Sequence, residues 1–282
     1  YRPLRFRPDL SESRRWLRAS LPVAAAWILG QLNFSFDTVM LSFLRTDAEV
    51  GWYNAAYRLL APLFLMRFTL MYSFLPVFSR LYAEDPTQLR PLATQTFRLV
   101  FLVAVPLGVG AWAAGQGVVD LVYGPGYEAA GPALWILAWA AVLMLPKVIA
   151  TALLYGAGRQ QTVMYITAGG VGVNILLNLW AIPRWGIQGA ALTTVFCDVC
   201  ALGGLWWLAR GMMPSAAGAL LVRPVGCAAV MGALLWWLSP VPVWVMIPAG
   251  MFIYVLALWA CGGIQRRDVE FWRRWRAGGP AN

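Results

Sequence analysis

The strongest constraint on the fold of this chain is a succession of long apolar runs that are separated by short polar turns. We count about eight of them, at residues 17–44, 50–78, 92–116, 129–155, 162–182, 187–209, 219–239 and 242–263. A helix needs roughly 20 apolar residues to cross a bilayer. The runs are too long and too uniformly apolar for barrel strands, and a helix satisfies its own backbone polar groups inside lipid. The sequence therefore predicts an all-α, polytopic transmembrane bundle of about eight helices.

The charged residues predict how this bundle is oriented. Only 12% of the residues are charged, against about 25% in a soluble domain. The net charge of +10 comes from arginines that lie mostly at the ends of the apolar runs, so it is a topology signal and not a nucleic-acid-binding pattern. With the N-terminus in the cytoplasm, the cytoplasmic side receives the arginines of segments 2–18, 80–90, 159, 210–223 and 266–276. Both ends of the chain are then expected to be cytoplasmic.

Patterns typical of metal sites and of catalysis are missing from the sequence. The chain has no His, and its one CxxC pair, Cys197 and Cys200, lies inside a span with no second CxxC. It also has no Walker-type glycine-rich loop and no paired carboxylates in a long external loop. We therefore expect no metal site, no cofactor and no enzymatic activity, and the pattern favours a transporter.

The first two apolar runs form a predicted transmembrane hairpin that carries three ionisable residues, Asp37, Arg58 and Arg67. Ionisable groups at membrane depth face a wet or protein-lined interior by default and mark a substrate or ion path. Arg58 and Arg67 are therefore candidate substrate-binding cations, although Arg67 could instead reach the interface. Asp37 and Arg58 lie at similar depths, about 10 Å from the intervening turn, which suggests an ion pair between them. Asn33 lies one helical turn from Asp37 and is a candidate cavity or helix-contact residue.

Later spans carry four further polar residues of interest. Lys147 is the only lysine and the third candidate substrate-binding cation, although its ammonium group could instead extend to the interface. Asn174 and Asn178 lie one turn apart, as expected for side chains that line a cavity or bond a neighbouring helix. Asp198 is near the centre of the sixth span, where it is protonated, paired with a cation from another helix, or part of an ion site. We interpret Asp37 and Asp198 as residues of ion coupling or structural pairing.

Seven segments carry a resemblance to a known family. They are 20–22 (SLP), 37–41 (DTVML), 50–59 (VGWYNAAYRL), 75–79 (LPVFS), 123–130 (YGPGYEAA), 154–159 (LYGAGR) and 174–191 (NILLNLWAIPRWGIQGAA). In order and spacing they resemble the C-terminal half of a polysaccharide or O-antigen flippase of the multidrug/oligosaccharidyl-lipid/polysaccharide (MOP) exporter superfamily.

The resemblance implies a MATE-like transporter of two six-helix lobes, often followed by two more helices. This chain would comprise a basic cytoplasmic segment (1–16), the second six-helix lobe (17–209), two additional transmembrane helices (210–263) and a basic, aromatic cytoplasmic tail (264–282). The chain starts with Tyr and not Met, so we expect a C-terminal fragment whose partner is the missing N-terminal lobe.

The resemblance also implies the function. Such flippases translocate undecaprenyl-pyrophosphate-linked oligosaccharides across the bacterial cytoplasmic (inner) membrane by alternating access, for cell-surface polysaccharide biosynthesis. Expected partners are membrane lipids, the lipid-linked substrate and the polysaccharide polymerase machinery, without nucleic acid. Relatives leave two alternatives, a lipid II flippase and a cation-coupled multidrug exporter, although the three intramembrane cations argue against the exporter. A membrane enzyme of polysaccharide assembly is the more distant alternative.

Overall fold

The structure of the chain is a computed structural model that describes residues 10–213, 217–238 and 241–263. These residues form seven helices: α1 (Leu10–Leu44), α2 (Asp47–Glu84), α3 (Leu89–Tyr123), α4 (Ala130–Gly156), α5 (Gln160–Leu208), α6 (Ala217–Trp237) and α7 (Val243–Ala260). Within the described ranges there is no strand, and six of the helices are long and apolar enough to cross a membrane. The predicted all-α class is confirmed. Residues 1–9 of the predicted N-terminal segment (1–16) and the whole of the predicted tail (264–282) lie outside the described residues.

α5 is a hairpin of two helices that meet at Gly186. This glycine has φ 56° and ψ −135°, a conformation in which a side chain would be strained. The two halves run antiparallel, since Asn178 bonds Thr193 and a Cβ on Gly204 would lie 3.9 Å from the Ile166 side chain. The break falls between the two predicted spans 162–182 and 187–209, so the seven helices provide eight helical segments.

Arg45, in the turn between α1 and α2, closes the end of the α5 hairpin. Its Nε and Nη2 donate to the carbonyl of Ile182 at 3.0 and 2.8 Å, and Nη2 also donates to the carbonyl of Pro183 at 2.9 Å. Carbonyls at the C-terminal end of a helix have no partner within that helix, and here the guanidinium supplies one. The turn between α1 and α2 and the turn of α5 are thereby fixed at the same end of the bundle.

α4 is the central helix and packs against α2, α3 and α5. Its end approaches α2 closely, because a Cβ on Gly156 would lie only 2.9 Å from the backbone nitrogen of Ser79. α6 and α7 lie to one side, where their main contacts are with α3 and with each other. One of these contacts is a hydrogen bond of 2.8 Å from the Tyr254 hydroxyl to the carbonyl of Leu102. The core of the bundle is therefore centred on α4, between α2, α3 and α5, and α1 packs mainly against α5.

The tight turn of α5 leads to a stability prediction. A Cβ on Gly189 would lie 2.5 Å from the carbonyl oxygen of Ala181, whereas a Cβ on Gly203, in the same hairpin, would meet nothing within 4 Å. We expect Gly189→Ala to lower the stability of the purified protein by about 1–3 kcal/mol through overpacking, and Gly203→Ala to leave it unchanged or to raise it by up to about 1 kcal/mol, because Ala favours a helix interior over Gly. Thermal unfolding in detergent measures both, and equal melting temperatures for the two variants would contradict the close approach.

Candidate functional site

A cavity of about 400 Å³ lies between α1, α2, α4 and both halves of α5. Its volume is within the range of small-molecule sites, which is about 300–1,000 Å³. Gly170 of α5 lines the cavity, and an added Cβ there would meet nothing within 4 Å. Three charged side chains line the cavity among the described residues: Arg67, Lys147 and Asp198. Most of the remaining wall is apolar, with the aromatic side chains of Trp27, Tyr57, Phe64, Phe68, Tyr72 and Tyr155.

Arg67 extends from α2 into this cavity, and neutral groups hold it there. Its Nη2 donates to Gln31 Oε1 of α1 at 3.3 Å, and its guanidinium carbon lies 4.7 Å from the centre of the Phe68 ring. The contact with the aromatic ring stabilises the cation without neutralising it. Among the described residues no carboxylate lies within 4.0 Å of the guanidinium, so its charge remains available to an anionic ligand.

Lys147 and Asp198 form an ion pair in the same cavity. Lys147 Nζ, on α4, donates to Asp198 Oδ1 on the second half of α5, and both side chains are partly buried. Pairing lowers the cost of holding either charge at membrane depth. The cavity therefore contains two cations, of which Lys147 is paired with an acid and Arg67 has no acidic partner in the described part of the chain.

A second polar cluster surrounds Asp37, which is only 1% exposed. Its Oδ2 accepts from the Tyr53 hydroxyl at 3.0 Å and from the Thr194 hydroxyl at 2.7 Å. Its Oδ1 accepts from Asn178 Nδ2 at 2.7 Å. These bonds join α1, α2 and both halves of α5 through one carboxylate, and Thr194 also lines the cavity.

The hydrogen-bond network around Asp37 extends through Asn178 to Asn174 and Thr193, and it contains more acceptor oxygens than hydroxyl protons. Asn178 uses its second amide proton on Asn174 Oδ1 at 3.1 Å, and its own oxygen accepts from Thr193. The hydroxyls of Thr193 and Thr194 each lie 2.9 Å from the carbonyl of Ala190 as well, although each has only one proton to donate. Asn174 is fully buried, and its Nδ2 has no partner among the described residues. The cluster is therefore oxygen-rich and incompletely satisfied.

Arg58 does not pair with Asp37, so the expected ion pair across the first hairpin is wrong. Tyr53 takes that place, and Arg58, five residues later, is turned about 140° around α2. Arg58 is exposed and forms no hydrogen bond or ion pair with the residues that the structure describes. The structure thus brings Arg67, Lys147 and Asp198 to one cavity and places Arg58 on the surface of this bundle.

One predicted polar residue cannot be placed in the site, and four residues that contact the site were not predicted. Asn33 lies on α1, but its side chain is outside the described residues. The sequence analysis missed four partners, which are Gln31, Tyr53, Thr193 and Thr194. Thr194 and Asp198 are four residues apart and share a helix face, so this spacing could have identified Thr194. No comparable signal marks Tyr53 or Gln31, because their roles depend on how neighbouring helices are rotated.

The chain is similar in sequence to a family of membrane flippases. A family profile described as "Lipid II flippase MurJ" matches residues 3–256. A "Probable flippase AglR" from Haloferax volcanii is 26% identical over 260 residues, which cover 86% of this chain and 53% of the relative.

Two solved structures share the fold. The lipid II flippase MurJ in an inward closed conformation superposes with a TM-score of 0.71 at 13% identity, and the match covers 90% of this chain and 55% of that one. An outward-facing MATE multidrug resistance transporter of the MOP superfamily superposes with a TM-score of 0.61 at 15% identity, covering 86% of this chain and 64% of that one. The chain therefore spans about half to two thirds of the length of these proteins, and its helices adopt the predicted MATE-like arrangement.

Proposed function

The chain belongs to the MurJ family of flippases within the MOP superfamily, and on that premise we propose that it is the second half of a transporter for polyprenyl-pyrophosphate-linked saccharides. In this proposal residues 17–209 form the second lobe and residues 210–263 the two additional helices. A first lobe, outside this chain, completes the transporter. The protein is a multi-pass membrane protein, and we propose the bacterial cytoplasmic membrane with both termini in the cytoplasm, as the arginine distribution indicates.

The observation that carries the substrate class is the presence of Arg67 and Lys147 in one aromatic cavity at membrane depth. A pyrophosphate group in a partly dry cavity needs fixed cations, and Arg can bind two phosphate oxygens at once. Lys147 adds a second cation from α4, and the aromatic rings offer flat surfaces for sugars. An organic-cation exporter would instead need a cavity in which acids outnumber cations.

Arg58 supports the same proposal from the surface of the lobe. It lies within a membrane-spanning helix, is exposed, and forms no ion pair with any residue in the described part of the chain. A charge at such a depth is costly against lipid. We propose that Arg58 faces the cavity between the two lobes, where the first lobe or the substrate supplies its counter-charge.

Asp37 is the residue that we propose for ion coupling. The Asp37 carboxylate accepts from the hydroxyls of Tyr53 and Thr194 and from the Asn178 amide. The side-chain oxygens of Asn174 and Thr193 lie one hydrogen bond further out, where both contact Asn178. Rotating the Asn178 amide by 180° would turn its oxygen towards Asp37. Such a rotation exchanges only the amide nitrogen and oxygen, whose positions are assigned from the hydrogen-bond network. A monovalent cation such as Na⁺, or a proton, would neutralise the buried carboxylate. Because Asp37 bonds α1, α2 and α5 together, its occupation would alter the packing of the helices that line the cavity.

Reconstitution of the full-length transporter, in which this chain is joined to the proposed first lobe, tests the function. We expect proteoliposomes to translocate an undecaprenyl-pyrophosphate-linked oligosaccharide or lipid II, and not a cationic dye. Lipid II is the second candidate substrate because of the family match, and the two are distinguished by comparing translocation rates at equal lipid concentration. Transport of the dye without transport of either lipid would contradict the proposal and favour a multidrug exporter.

A further inference from the structure

We propose that Asp198 competes with the phosphate groups of the substrate for Lys147. In this inference, which rests on the proposed function, an anionic headgroup binds by replacing Asp198 as the partner of Lys147, and Asp198 returns to Lys147 when the headgroup leaves. Asp198 would therefore set the affinity of the cavity and the rate of release.

The geometry of the Lys147–Asp198 ion pair allows Lys147 to exchange one acidic partner for another. The side chains of Lys147 and Asp198 are 27% and 13% exposed, and both line the cavity. Asp198 is the one partner that Lys147 has among the described residues. Arg45 shows the contrast, because its guanidinium makes three bonds to backbone carbonyls and is held in place. Lys is a compact charge on a flexible stem, so it can move to a new partner with little rearrangement.

The charges in the cavity explain why such an exchange is needed. Arg67, Lys147 and Asp198 together give the cavity one net positive charge. A pyrophosphate group carries two negative charges as a diester, as in a lipid-linked saccharide, and up to three as a monoester such as farnesyl pyrophosphate. To bind both cations, the headgroup must take Lys147 from Asp198 and leave a carboxylate without its partner. That loss opposes tight binding, because a buried charge without a counter-ion is costly. A transport site must bind strongly enough to load and weakly enough to unload, and the competing carboxylate meets both requirements.

The released carboxylate lies close to the Asp37 cluster. Thr194, which donates to Asp37, precedes Asp198 by one helical turn, and both line the cavity. Both carboxylates therefore lie near the same turn of α5, where their like charges repel each other. A cation or proton at Asp37 would remove that repulsion and so make the release of Asp198 from Lys147 less costly. Substrate binding and ion binding would then favour each other.

A binding measurement on the full-length transporter tests the inference, with farnesyl pyrophosphate as the probe and isothermal titration calorimetry as the readout. We expect Asp198→Asn to bind the probe at least about fivefold more tightly than wild type, a modest coupling between two groups. Asp198→Glu keeps the charge and should bind as wild type does. The matched control is Glu84→Gln, which removes the acid of the exposed Arg80–Glu84 pair and should leave the affinity unchanged.

A second background separates competition at Lys147 from a general effect of removing one negative charge. In Lys147→Met, the further change Asp198→Asn should produce no additional tightening, because the competition has no target. An equal gain in both backgrounds would overturn the inference. The inference would also be overturned if wild type binds the probe and Asp198→Asn does not bind it more tightly. That result would leave the proposed function intact. If wild type does not bind farnesyl pyrophosphate, the proposed function fails, and the inference with it. Thermal unfolding of each variant shows that the compared proteins are folded.

Discussion

Arg67→Ala in the full-length transporter is expected to abolish export of surface polysaccharide in a flippase-deficient strain. Arg67 is the cavity cation that no described acid neutralises, and it is already directed into the cavity by Gln31 and Phe68. Removing one partner of a buried, hydrogen-bonded charge pair costs about 2–5 kcal/mol. Because the headgroup would have to cross the membrane without that contact, the loss should affect export directly.

The control for Arg67→Ala lies on the same helix. Arg80 bonds Glu84 at 2.7 Å, and both side chains are about 60% exposed, so Arg80→Ala should cost little and leave export intact. Protein levels in the membrane must be matched for the comparison. Normal export by Arg67→Ala at wild-type levels would show that Arg67 is a structural or interfacial residue, and the drug-exporter alternative would gain support.

Arg58→Ala is a separate expectation with a different physical basis. Arg58 is outside the cavity of this lobe, and its effect depends on the proposed apposition of a first lobe. We expect export to fall strongly in the full-length transporter, because the surface between the lobes would lose a cation. If Arg58→Ala exports normally while Arg67→Ala does not, the substrate interacts with the cavity of this lobe and not with the surface that carries Arg58.

The sequence was sufficient to predict the helices, because the bilayer imposes one strict rule on each of them. Apolar length alone predicted the eight helical segments, and the pair 162–182 and 187–209 was separated correctly at the turn that contains Gly186. The order of segments was sufficient to predict the superfamily, which the family match confirms. Each of these properties follows from the order of residues along the chain and does not depend on how one helix is rotated against the next.

The contacts between polar side chains could not be predicted in the same way. Depth placed Asp37 and Arg58 at one level, but depth does not specify which faces of two helices meet. Asp37 instead bonds Asn178, 141 residues away in sequence. Likewise, the depths of Lys147 and Asp198 did not show that α4 and the second half of α5 present them to each other. Such pairs depend on the rotation of packed helices, which is determined by the apolar residues around them.

Asp37→Asn is expected to abolish ion-driven translocation and to remove any stabilisation of the protein by the coupling ion. The side chain keeps its size and loses its charge, so it no longer attracts a cation into the oxygen-rich cluster. An ion that binds only the folded protein, at a concentration about 100 times its Kd, raises the free energy of unfolding by ~2.7 kcal/mol. If Na⁺ is the coupling ion, replacing K⁺ by Na⁺ should raise the melting temperature of wild type and not that of Asp37→Asn.

The result for Asp37→Asn also identifies the ion. Asp120→Asn is the matched control, since Asp120 is an exposed acid that bonds Gln116 at the end of α3; it should keep both the transport activity and the response to Na⁺. If wild type shows no response to Na⁺ but translocation depends on a pH gradient, the carboxylate carries a proton. Ion-driven transport by Asp37→Asn at the wild-type rate would contradict both forms of coupling. Asp37 would then serve only to join α1, α2 and α5, and the energy for transport would have to enter elsewhere in the protein.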